Sequence, residues 1–218
     1  MSDNGRTSTT ETSAPRHGDA APAGDRNRNP RDLGLLALIR EDFRTHGNKP
    51  LEPGFAALLV HRLANARWDL RSKAARLPVT ALCRLGYTWV DLVLGIEIPY
   101  STQVGRRVRI WHHGGIVLGA RAIGDDVQIR QNTTFGVLHM GDEGGVPIIG
   151  NRVELGAGAC VAGPVTVGDD SVVGPNSLVI RDLPPKSVVM GVPARQATLK
   201  VEAQGNGGAA AKASASSQ

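Results

Sequence analysis

The chain has 218 residues, a formal net charge of +5, 27 glycines and only 4% aromatic residues. That length allows one substantial domain or two small ones, and so few aromatics speak against a large aromatic core while suiting a repetitive architecture of tight turns. The basic balance is modest and comes with no zinc finger, RNP-like aromatic motif or continuous basic run, which excludes nucleic acid as an expected partner.

Residues 1–30 are polar, lack the apolar core of a signal peptide and read as a disordered tail. Residues 31–95 read as a helical region. DLGLLALIREDFRTHG places apolar residues on one helical face and stops at His46 and Gly47. LEPGFAALLVHRLANARWDL restarts at Leu51, with Pro53 in a first turn. Phe55, Leu58, Leu59 and Leu63 form its stripe, and Arg62 marks one edge. SKAARLPVTALCRLGYTWVDLVLG predicts a third helix, broken or bent at Pro78 and ended by Gly95. These stripes need partners, either each other or neighbouring subunits. No apolar run reaches the length that spans a membrane.

After Pro99 the texture changes to a period of six. Starting at Val104 and skipping Ala122, the hexads run VGRRVR, IWHHGG, IVLGAR, IGDDVQ, IRQNTT and FGVLHM, then IGNRVE, LGAGAC, VAGPVT, VGDDSV, VGPNSL and VIRDLP. Every first position is Val, Ile, Leu or Phe, and Gly follows in seven of the twelve hexads. Such a period fits short strands joined by tight turns, three hexads making one triangular coil of a parallel β-helix. Residues 104–121, 123–140, 149–166 and 167–184 form four coils, and the stretch near 138–147 leaves the solenoid as a loop. The tail 201–218 reads as disordered. The fold expected is thus α+β, with the β-helix domain occupying residues 96–200.

The hexads together with EPGFAALLVHRLAN, GIEIPYSTQVGRRVRIWHHGGIVLG, IRQNTTFG and VVMGVPAR resemble the serine O-acetyltransferase family of hexapeptide-repeat acyltransferases. The resemblance runs from about Leu33 to Lys200. It implies a left-handed β-helix, acetyl-CoA as acyl donor with no metal, and a homotrimer in which the donor lies between subunits. A hydroxyl attacking a thioester needs a base, and a carboxylate can orient that base. The family's catalytic histidine matches His112, and its acidic partner matches Glu97. Gly136, Ala157, Gly158 and Pro175 fall in the matching donor groove, while Lys186, Arg195 and Lys200 are candidates for the donor phosphates. Asp42 matches an upstream acidic residue that contributes to serine recognition.

The neighbouring His113 is read as a turn or intersubunit hydrogen-bonding residue near the acceptor. On a strand only one of two adjacent imidazoles would enter a given cleft. The pair alone makes a poor metal site, because no third and fourth ligand follow at useful spacing. Cys83 and Cys160 are separated and read as small buried residues of a reduced, cytoplasmic chain. Two departures concern the acceptor. Trp111 stands where the family has Asp, and Gly145 and Val146 stand where it has an Arg-His pair that would clamp a carboxylate. His139, Asp142 and Glu143 are the loop residues able to compensate, and Trp111 can pack over an acceptor. Serine O-acetylation is therefore the leading expectation, beside O-acetylation of a sugar or specialised metabolite and a non-catalytic trimeric scaffold. Ser216-Ser217-Gln218 lacks the terminal Ile with which the family docks a cysteine-making partner, so no such complex is expected.

Overall fold

The structure is a computed structural model that describes residues 27–139, 141 and 145–197. The calls on Asp142, Glu143 and Lys200, on residues 1–26 and on the tail 201–218 lie outside the described residues, while Asn29, expected in the disordered tail, is buried and donates from Nδ2 to the Arg62 carbonyl at 2.9 Å. Three helices come first: α1 (Leu35–Thr45), α2 (Pro53–Ala66) and α3 (Lys73–Trp89). Pro53 opens α2 at a position whose N–H would have no helical partner anyway. Ser72 caps α3 by accepting from the Ala75 amide at 3.4 Å.

Two helical expectations are corrected. α3 runs unbroken through Pro78, which lies only one and a half turns from its start and points into solvent. The irregularity comes later, as a π-helical turn Val90–Leu94 that ends on left-handed Gly95. Being unbroken, Lys73–Leu94 is long and apolar enough to cross a membrane by length and composition alone, contrary to the sequence expectation. It carries Lys73, Arg76, Arg84 and Asp91 and packs along α2 as a surface helix. Its outer face exposes Leu77, Leu82, Leu85 and Leu92.

Arg62 is not the edge of a stripe but fully buried. Its Nε donates to Asp42 Oδ2 at 3.0 Å, and its two terminal nitrogens donate to the carbonyls of Val104 and Gly105 at 2.7 and 2.6 Å. A buried guanidinium is tolerable only when its donors are satisfied in this way. One side chain thus joins α1, α2 and the first coil. His46 makes a second link, with Nδ1 2.8 Å from the Asp42 carbonyl and Nε2 accepting from the Ile110 amide at 3.2 Å. This fixes the neutral Nδ1–H tautomer, and burial correspondingly lowers the His46 pKa.

The remainder is a left-handed β-helix with three parallel sheets. The first sheet stacks Ile96–Glu97, Ile116–Leu118, Thr134–Gly136, Cys160–Ala162 and Leu178–Val179. The second stacks Gln103–Val104, Ala122–Ile123, Ile148–Ile149 and Thr166–Val167. The third stacks Arg109–Ile110, Gln128–Ile129, Glu154–Leu155, Val172–Val173 and Val188–Met190, and Arg195–Gln196 closes it antiparallel. Every hexad-leading residue from Val104 to Val179 is at most 2% exposed, so these positions form the core column. The fifth hexad position also points inward: Val108, Val127, Val153, Ser171 and Ser177 are buried. Glycine at the second position lets one coil lie directly on the next. A Cβ on Gly124 would meet the Gly150 carbonyl at 2.6 Å.

Candidate active site

The corners of the prism follow one rule, and His112 breaks it. Between the second and third sheets the turns place Arg107, Asp126, Arg152, Asp170 and Lys186 in left-handed backbone. Between the third and first sheets Asn132, Gly158 and Asn176 do the same. All of these but Lys186 occupy the fourth position of a hexad, and Lys186 is fourth counted from Leu183, which pairs with the hexad leader Val167. In IWHHGG the left-handed residue is the third, His112 (φ 66), followed by Gly114 (φ 92) and Gly115 (φ 64). A non-glycine side chain in that region costs about 1 kcal/mol and needs surrounding contacts to hold it.

Those contacts come from the end of α3. The Gly114 amide donates to the Leu94 carbonyl at 3.0 Å, and the Ile116 amide donates to the Gly95 carbonyl at 2.9 Å. On the other side the Asn132 amide donates to the Gly114 carbonyl at 3.1 Å. A Cβ on Gly115 would meet Asn132 Oδ1 at 2.5 Å, so the glycines after the histidines are there for close approach. The strand argument for His113 therefore does not apply: both histidines lie in a bend and both are exposed.

Glu97 ends the first solenoid strand, where it pairs in register with Val117 just beyond the histidine turn. It is half-buried, and its Oε1 accepts from the Tyr87 hydroxyl at 3.2 Å. Among the described residues no hydrogen bond joins Glu97 to His112 in the single chain. Trp111 is held from two sides. Its Nε1 donates to Gln128 Oε1 at 2.8 Å, and the Arg109 guanidinium lies 3.6 Å from its ring centroid. It borders a concavity of about 580 Å³ on the third sheet, shared with Gln128, Arg130, Glu154 and Pro175.

The residues expected in the donor groove divide. Ala157, Gly158 and Pro175 lie on the same corner column as His112, in later coils. Gly158 is fixed by its left-handed turn, where a Cβ would run into Asn176. Gly136 faces open space, so it is not a coil-packing glycine. Lys186 sits on a different corner, between the second and third sheets, with its amide on the Asp169 carbonyl. Arg195 is exposed on the antiparallel end strand after a chain reversal at Gly191–Ala194.

Of the residues expected on the acceptor side, Asp42 is 1% exposed and bound to Arg62, so it braces the helices. Burial pushes its carboxyl up while Arg62 pulls it down. His139 is exposed at the loop edge, Gly145 is buried and Val146 is partly covered. Among the described residues no group of three His, Cys, Asp or Glu stands ready for a metal. Cys83 and Cys160 are free thiols, both pushed up by burial. Tyr87 and Gln128 escaped the sequence reading, since neither belongs to a motif and both act through partners far along the chain.

The bacterial transferase hexapeptide (six repeats) family model matches residues 147–181. The chain is 39% identical over 142 residues to a serine acetyltransferase of Mycobacterium tuberculosis, covering 65% of this chain and 59% of that protein. It is 38% identical over 149 residues to a serine acetyltransferase of Helicobacter pylori, covering 68% of this chain and 83% of that protein. The soybean serine acetyltransferase apoenzyme superposes with a TM-score of 0.62 at 25% identity, covering 75% of this chain and 69% of that one. The chain thus spans little more than half of the mycobacterial relative and most of the Helicobacter one.

Proposed function

The chain belongs to the serine acetyltransferase family, and on that premise we propose that it is an acetyl-CoA-dependent O-acetyltransferase whose acceptor is L-serine. The observation that supports this reading is the displaced turn, which leaves His112 exposed on the corner that continues past Ala157 and Pro175, with Glu97 on the strand that pairs just beyond that turn. His112 takes the proton of the acceptor hydroxyl as that oxygen attacks the thioester carbonyl. Glu97 orients the imidazole and stabilises the imidazolium. The carbon–sulfur bond then breaks, and the imidazolium returns the proton to the departing thiolate, leaving the O-acetyl ester and free CoA. Backbone N–H donors along the groove stabilise the oxyanion. His113, His139, Asp142 and Glu143 border the acceptor, and Gly136, Ala157, Gly158 and Pro175 flank the donor. Arg195 and Lys200 approach its phosphates, with Lys186 the weakest member of that set because of its corner.

We place the enzyme in the cytoplasm as a homotrimer. His112 and Pro175 are exposed in the single chain, which leaves the cleft to be completed by a neighbouring subunit. One observation favours a second acceptor class. Trp111, held by Gln128 and Arg109 beside a concavity of mixed lining, offers an aromatic wall to a sugar or specialised metabolite, and Gly145 and Val146 offer no carboxylate clamp. The test is CoA release from acetyl-CoA with L-serine, homoserine and a panel of sugar alcohols, for wild type and His112→Ala. Serine-dependent turnover lost in His112→Ala supports the first reading. Turnover only with another hydroxyl moves the acceptor, and a folded protein without any turnover leaves a scaffold.

A further inference from the structure

We infer that Tyr87 is a positioning residue for the reacting pair and that Tyr87–Glu97 acts as one clamp upon it; this rests on the reading above in which Glu97 orients His112. The argument begins with the backbone. α3 ends in the π-helical turn Val90–Leu94, and left-handed Gly95 (φ 61, ψ 38) then folds the chain back. That reversal brings the Tyr87 hydroxyl over a carboxylate ten residues further on, at 3.2 Å from Glu97 Oε1. π-helical turns are uncommon and occur frequently at functional sites.

The same short segment holds the histidine turn. Leu94 and Gly95 supply the carbonyls that receive the Gly114 and Ile116 amides. One piece of backbone therefore sets both the carboxylate and the loop that carries the imidazole. The Tyr87 ring is itself fixed. It packs against Tyr100 with centroids 5.0 Å apart, and the Tyr100 hydroxyl donates to the Cys83 carbonyl at 3.1 Å. Burial and the Glu97 charge push the Tyr87 hydroxyl well above its ordinary value, so it stays a donor throughout the working pH range. With Oε1 engaged by Tyr87, Oε2 is the oxygen presented to the imidazole. Tyr87 touches no substrate in this arrangement and acts only through Glu97.

The experiment is a double-mutant cycle with Tyr87→Phe, Glu97→Ala and the pair, reading kcat, KM for acetyl-CoA and the thermal midpoint on the full chain. Phenylalanine keeps the ring packing and removes only the donor. Tyr87→Phe should lower kcat about tenfold while KM for acetyl-CoA stays within about twofold. In the Glu97→Ala background the same change should have no further effect on kcat. An equal loss in both backgrounds, or a normal kcat in Tyr87→Phe beside a slow Glu97→Ala, overturns the role of Tyr87 alone. A normal kcat in Glu97→Ala overturns the underlying Glu97 reading, and this inference with it.

Discussion

Two corners of the same prism are built from similar hexads and come to different ends. Between the second and third sheets each turn satisfies the next. Asp125 Oδ1 accepts from the Arg106 amide, Asn151 Oδ1 from the Asp125 amide, and Asp169 Oδ1 from the Asn151 amide, all at 2.8–2.9 Å. Arg107 pairs with Asp126 and Arg152 with Asp170 through two bonds each. The polar groups of this corner are spent on stacking coils. At the histidine turn the left-handed residue slips one place forward, the Gly114 and Gly115 backbone takes over the stacking, and both imidazoles stay exposed. In a repeat protein, chemistry is found where a turn is released from the repeat.

That contrast can be broken most forcefully at His112. His112→Ala should reduce kcat about a thousandfold and leave the urea midpoint unchanged; a large loss of stability would make the histidine a structural residue like its counterparts. Phe135, buried in the regular part, should behave in the opposite way. Phe135→Ala should cost about 3–5 kcal/mol in urea unfolding, and a change near zero would mean that the column is not the core. The junction between helices and coils carries a pH signature. Burial lowers His46, and it lowers His61 to about 3. Both are depressed, so their contribution is complete above the unfolded value near pH 6.5 and is lost as pH falls below it. Stability should drop between about pH 6.5 and 5 by up to about 1.4 kcal/mol per pH unit from His61, with His46 adding a loss of the same sign. A flat profile in urea titrations would deny that they are buried neutral.

Smaller effects separate two kinds of glycine. Gly124→Ala should destabilise, because the Gly150 backbone lies 2.6 Å from the new methyl. Gly136→Ala should leave stability unchanged and raise KM for acetyl-CoA a few-fold, on the order of 1 kcal/mol of lost binding; the reverse pattern would remove Gly136 from the donor groove. Smallest of all, Arg152→Gln breaks an exposed pair and should change neither midpoint nor turnover.

The solenoid was legible because its signal is local. A hexad's first residue is buried whatever lies elsewhere, and the skipped Ala122 reappears in the pairing of Val104 with Ile123. The inward fifth position was overlooked because it holds Thr133, Ser171 and Ser177 as well as apolar residues, and a hydrophobicity pattern does not see them. Arg62 was misread for the converse reason. Its acceptors belong to Asp42, Val104 and Gly105, none of which shares its helical face. In the site, the residues alone offered two adjacent histidines, and both the choice of His112 and its pairing with Glu97 came from resemblance. Tyr87 had no signal at all, since its reach depends on a π-helical turn that propensity does not foretell. The corner occupied by Lys186 was not visible in the hexad phase, which puts that residue in a second position after Pro184; the pairing of Val167 with Leu183 resets the phase and moves it to a fourth position.

The excursion between Gly136 and Ile148 leaves no trace in the sheets on either side. Phe135 still pairs with Val161 and Ile123 with Ile149, while the Gly163 amide holds the carbonyl of Gly136 and the Arg121 amide holds that of Pro147. Both feet of the loop are riveted to neighbouring coils, so its interior is a cassette. A change of length between these anchors leaves the pairing register of the coils where it is. Two fixed points thus separate what the loop presents from what the column needs.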